Sequence, residues 1–191
     1  MRREERHKAI AIPVTFIDGK PRFLTVRDRR FKEWIFITGG CRKKEVSNPL
    51  RCALRELEEE TRGIVNIKSG EYTSFVFRTK NRTPEELKND ENMGIDVISV
   101  YHVYILFVNI TQDEQVRIIK RFNDEKASTE RRKKSKLPIN KTYDENDFIS
   151  FDTLDEYNTR QRWPMIVEHV IKNPEFYDAC NSSNRRSFNM R

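Results

Sequence analysis

The chain has 191 residues, enough for one well-buried core and too few for two full domains. Hydrophobic residues make up 36% and charged residues 35%, a polar balance that still excludes wholesale disorder. No apolar run approaches the roughly 20 residues that span a bilayer, and the net charge of +7 points towards a polyanionic partner.

The N-terminal MRREERHKAIAIP lacks the long apolar core and small-residue cleavage site of a secretory signal. Three scattered cysteines (Cys41, Cys52, Cys180) give neither a disulfide framework nor a zinc site, so a reducing, intracellular, cytoplasmic setting is expected. Residues 9–16 (AIAIPVTF) predict a first strand, with IDGK (17–20) turning into a second over 22–28. WIFI (34–37) predicts a short strand running into Gly39 and Gly40. A helix follows, with Asn48 as its cap, Pro49 in its first turn and Gly63 to stop it. Leu50, Ala53, Leu54 and Leu57 give that helix one apolar face.

Residues 72–79 predict a strand and 80–94 a polar loop with one helical turn. DVISVYHVYILFV (96–108) is a buried strand whose unbroken apolar character predicts cover on both faces. Residues 112–126 predict a helix, 127–136 a mobile basic run, 147–151 a strand and 164–174 a last helix. Residues 181–191 are expected to fray. Alternating strands and helices predict an α/β fold with a mixed sheet covered by helices, as one domain over 1–180 with a basic insertion around 112–141.

Between Arg117 and Lys141 ten Lys or Arg face three acids, an imbalance equal to the whole net charge. Such a stripe fits either a polyanionic partner, nucleic acid being the commonest, or a solvated loop. RELEEETRGI (55–64) sets four glutamates within five positions of the same chain. At about 100° per residue, Glu56, Glu59 and Glu60 share one side of the helix and flank its buried stripe, whereas Glu58 projects the other way. Three carboxylates at the edge of a core need a positive partner, and hard oxygen donors suit Mg²⁺ or Mn²⁺. Arg55 lies four residues before Glu59 and can brace it.

With its preceding loop the segment resembles the Nudix hydrolase signature, Gly, five residues, Glu, seven residues, then Arg-Glu-apolar-x-Glu-Glu-x-Gly-apolar. Gly39 (or Gly40), Glu45, Arg55, Glu56, Leu57, Glu59, Glu60, Gly63 and Ile64 match its order. Nine residues instead of seven separate Glu45 from Arg55, and two instead of one separate Glu60 from Gly63. The resemblance implies an α/β/α sandwich and metal-dependent hydrolysis of a pyrophosphate bond. Glu56, Glu59 and Glu60 would be the metal ligands, Glu56 or Glu60 the favoured base, and Arg55 a brace. A later acid is expected from TYDENDFISF, with Asp147 first choice and Glu145 second.

Substrate identity divides three ways. Cleavage of the mRNA 5′ cap, as by Nudix decapping enzymes including those of large DNA viruses, would use the basic stripe, with Arg131, Arg132, Lys133 and Lys134 on RNA phosphates. Hydrolysis of a small polyphosphate, such as a diphosphoinositol polyphosphate or dinucleoside polyphosphate, would use Arg42, Lys43 and Lys44 beside the glycine turn. An RNA-binding module with little catalysis is the third, against which the intact Arg55, Glu56, Glu59 and Glu60 set argues.

Overall fold

A computed structural model describes residues 2–68, 70–80 and 84–181. At the centre of the sheet, β1 (Arg2–Ile17) runs parallel to β6 (Ile95–Phe107) over the whole length of β6. The other pairings are antiparallel, giving a mixed sheet in the order β3-β2-β1-β6-β5, with β4 also on β1 and β7 also on β2. β2 is Lys20–Asp28, β3 Trp34–Ile35, β4 Ile37–Gly40, β5 Tyr72–Thr79 and β7 Asn146–Asp152. Asp18 and Gly19, at φ 50° and 74°, form the hairpin between β1 and β2, as two positive φ values at a two-residue turn require.

Along one edge of β1, Lys8 to Ala11 pair with β4 and Val14 to Ile17 pair with β2. Pro13 falls in the gap. Because His7 O accepts from Cys41 N on that edge and Val14 O accepts from Val108 N on the other, odd residues face the β2/β4 edge. The donor that Pro13 lacks would therefore point where neither strand needs it. The expected strand at 34–37 divides at Phe36, its first two residues joining β2 and the next four joining β1.

Helices cover both faces. Ala53 and Leu57 of α1 (Pro49–Glu60), with Ile118 and Phe122 of α3 (Gln112–Lys134), pack on Ala9, Ala11, Leu24 and Val26. On the other face Tyr157 of α4 (Leu154–Asn158), Met165 and Ile166 of α5 (Pro164–Ile166) and Phe176 of α6 (Pro174–Cys180) pack on Ile10, Ile12, Phe23 and Phe36. β6 feeds both layers, Leu106 to one and Val103, Ile105 and Phe107 to the other, as its unbroken apolar run predicts. The result is an α/β/α sandwich.

Four expectations change. Asn48 makes no side-chain cap to α1; its carbonyl accepts from Arg51 N at 3.0 Å instead. The polar loop holds a nine-residue helix, α2 (Pro84–Asn92). α3 does not end near 126 but continues through the basic run to Lys134. Its capping box at Thr111 and Glu114, its buried Ile118 and Phe122, and its four cations against the C-terminal dipole sustain it. The helix expected over 164–174 breaks into α5 and a single π turn at Val167–Ile171, with α6 beyond it. The tail 182–191 lies outside the described residues.

Candidate active site

Arg55 occupies the middle of the carboxylate cluster. Its Nε and Nη2 donate to Glu45 at 2.9 Å each, and its Nη1 to Glu56 at 2.7 Å and Glu59 at 2.9 Å. Nη2 also reaches Gly40 O at 3.0 Å. The paired bonds from Arg55, more than any other influence, pull Glu45 down to about 2. Arg42 Nη2 donates to the other oxygen of Glu59 at 3.1 Å, while Lys43 and Lys44 stand exposed on the adjoining turn.

Glu60 is treated differently. It is 4% exposed, and its two oxygens accept from Thr38 N at 3.2 Å and Asn146 Nδ2 at 3.0 Å, both neutral donors. Burial drives its pKa well above the usual carboxylate range, and the charges of Glu56 and Glu145 push the same way. Glu56 is also raised, by burial first, against the pull of Arg55. Gly39 makes room for it: a Cβ at Gly39 would lie 1.9 Å from the Glu56 carboxyl carbon. Gly39 is therefore the glycine that the site needs, and a Cβ on Gly40 would meet open space.

Past residue 60 the chain forms a Schellman motif, Arg62 N bonding to Glu59 O at 3.1 Å and Gly63 N to Glu58 O at 2.7 Å. Arg62 takes the left-handed position (φ 58°) with Gly63 (φ 73°) behind it, which accounts for two residues between Glu60 and Gly63. The Arg62 side chain then reaches across to Asp144 at 3.3 Å and to Asn146 O at 3.0 Å. Its Nε and that of Arg29 are buried without a hydrogen-bond partner.

Of the two acids expected from the later loop, Asp147 points elsewhere. Arg27 grips it with two bonds of 2.9 and 2.8 Å, and Lys32 adds a third at 2.7 Å. These cations outweigh its burial and hold it at about 2. Glu145 instead acts on the cluster, its charge adding to the burial that raises Glu56 and Glu60. Although that residue is exposed overall, burial around its carboxyl raises it, followed by the charges of Glu59 and Asp28. Among Arg131 to Lys134, Lys133 is committed to Asp144 and Glu130, and Arg132 Nε donates to Pro138 O at 2.8 Å. Arg131 and Lys134 are exposed.

The NUDIX domain model matches residues 5–131, two thirds of the chain, including all of α1. The chain belongs to the NUDIX domain family. The enzyme class is that of the Nudix pyrophosphohydrolases. Among solved structures it is similar to the Nudix domain of Shewanella oneidensis NrtR complexed with ADP ribose (10% identity, TM-score 0.56, 92% of this chain and 88% of that one). It is also similar to a structure of Shewanella oneidensis NrtR (13%, TM-score 0.51, 91% and 63%) and to the C-terminal domain of mouse MUTYH in complex with human PCNA (12%, TM-score 0.51, 92% and 90%). These likenesses concern the fold. No curated protein matches the sequence significantly.

Nudix hydrolases generally use divalent cations such as Mg²⁺ or Mn²⁺. In this Nudix protein, no three His, Cys, Asp or Glu among the described residues are gathered as ligands, and Arg55 and Arg42 hold Glu56 and Glu59. The donor chemistry nevertheless fits such an ion. Glu60 is a buried acid with neutral partners only, and Glu56 and Glu145 raise its pKa across the intervening space. A cation there would answer charge that Arg55 leaves unanswered. Two residues of this site, Asn146 and Arg62, escape sequence reasoning. Their only local signal is an extra residue before Gly63 and an amide among the acids of DEND.

Proposed function

We propose that the chain hydrolyses the pyrophosphate bond of a compound in which a diphosphate joins a nucleoside to a second group, with Mg²⁺ or Mn²⁺ held by Glu56, Glu59 and Glu60. The observation that carries this is Glu60, buried beside Glu56 and Glu145 without a cation of its own. Such an ion, when bound, lowers the pKa of an attacking water and neutralises phosphate oxygens. The chain's own residues do the rest. Thr38 and Asn146 fix Glu60, Arg55 ties Glu56 and Glu59 to one nitrogen, and Glu145 offers a further acid at the mouth, a role in which it replaces Asp147. Glu56 or Glu60 takes the proton from water. Glu60→Gln should lower turnover of nucleoside-diphosphate compounds in Mn²⁺ by about a hundred-fold or more with melting unchanged. Full activity in that variant would refute the assignment.

A second reading adds RNA as the carrier of the diphosphate, cleaved at its 5′ cap. One observation favours it: α3 brings its basic end against the loop that holds Glu145, through Lys133 and Asp144, and Thr129 one turn earlier meets Arg62 at the end of α1. On that end Arg131 and Lys134 are exposed cations that a long polyanion can reach. No helix among the described residues is long and apolar enough to cross a membrane. A reducing, cytoplasmic setting suits the free thiols of Cys41, Cys52 and Cys180.

A further inference from the structure

A cleft of about 500 Å³ opens beside the acids, at the edge where β2 and β4 part. Thr38, whose N–H holds Glu60, forms one wall, so the cleft begins where the reacting diphosphate would lie. Phe31, 53% exposed, and the half-buried Trp163 supply aromatic surface. Asp28 and Glu33 supply two carboxylates, and Lys8 one ammonium. Burial and then the charge of Asp28 raise Glu33. Phosphate is unwelcome there. An inositol polyphosphate, which carries phosphate on every arm, has no group to offer this cleft.

Resting on the hydrolase assignment above, we propose that this cleft selects a guanine base, with Glu33 and Asp28 as specificity residues that accept from its N1–H and N2–H. Carboxylates only accept, so they favour an edge with adjacent donors. Guanine has that edge, and its neighbouring O6 is an acceptor suited to Lys8. Adenine pairs one donor with an acceptor, and uracil sets one donor between two acceptors. Phe31 and Trp163 give the ring a stacking surface that any base could use, so selection falls to the acids. The guanine can come from a free nucleotide or from the 5′ end of an RNA.

The test measures kcat/KM in Mn²⁺ for GDP-glucose, ADP-glucose and UDP-glucose, an inositol pyrophosphate and a short capped RNA. The expected preference for GDP-glucose over the other two sugars is about ten-fold or more. Glu33→Gln, whose amide both donates and accepts, should raise ADP-glucose cleavage and bring the ratio near one. Asp28→Asn, which keeps the acceptor for Phe31 N, should lower the GDP-glucose preference without the adenine gain. If GDP-glucose is inert but capped RNA is cleaved, and Glu33→Gln weakens that cleavage, guanine at an RNA end is the source and the proposal holds. Equal cleavage of the three sugars, preference for the inositol compound, or a ratio unmoved by both substitutions overturns the guanine assignment. The hydrolase would then still stand on its Glu60 dependence. Cleavage of nothing in the panel overturns both.

Discussion

Arg55 decides what the other charged residues of the site can do. It holds three carboxylates of the site, so replacing it by Lys removes the fork that two Glu45 bonds require. Arg55→Lys should lower stability by about 3 kcal/mol, the usual scale for breaking a buried pair, and lower turnover as well. Chemical denaturation with a parallel activity assay checks both. Glu45 adds a pH signature. Its pKa falls from 4.5 to about 2 on folding, so its stabilisation is complete above pH 4.5 and is lost as pH falls towards 2. Glu45→Gln should therefore melt well below the parent at pH 7, and the gap should narrow by pH 3. Gly39→Ala tests the space for Glu56. Because the nearest atoms are a side-chain carboxyl, the fold should survive while activity drops by about ten-fold or more, read as kcat beside an unchanged melt. Glu56, Glu59, Glu60 and Arg55 were legible because helical spacing alone puts them together. Glu145 and Asp147 were not separable, since which one faces the site depends on Arg27 and Lys32, and Lys32 lies 115 residues away.

At the level of elements, the long α3 is the clearest case of tertiary structure overriding local composition. A run of cations read alone repels itself, but here Asp144 draws in Arg29, Arg62 and Lys133, and Glu130 draws in Arg29 and Lys133. Asp144 comes from a loop that no window around 131–134 contains. Two kinds of cation follow, committed ones that brace the Glu145 loop and exposed ones free for a ligand. Changing Arg131 and Lys134 together to Glu should flatten the salt dependence of capped-RNA cleavage by about one to two units of log–log slope and spare GDP-glucose. Equal loss on both substrates would count against RNA contact. The strands were more readable than the helix ends, because β6 and the β1/β2 turn carry period and turn chemistry in their own residues. The Schellman end of α1 was half visible: Gly63 marked the stop, but the left-handed Arg62 did not stand out.

Considered whole, the molecule places its chemistry along the edge where the sheet divides, and at that division sits a residue with no hydrogen to donate. A proline in a central strand ordinarily argues against the strand, since a ladder would lose a rung. Pro13 instead occupies the one stretch of that edge at which β4 has already left and β2 has not arrived. An amide donor at position 13 would have a vacancy to fill, and either neighbour could slip by a residue to fill it. A slip by β4 would carry Gly39 off the Glu56 carboxyl and turn Thr38 away from Glu60. By withholding a hydrogen, an imino acid more than twenty residues upstream of the glycines keeps the branch point from migrating, and with it the alignment of the whole catalytic edge.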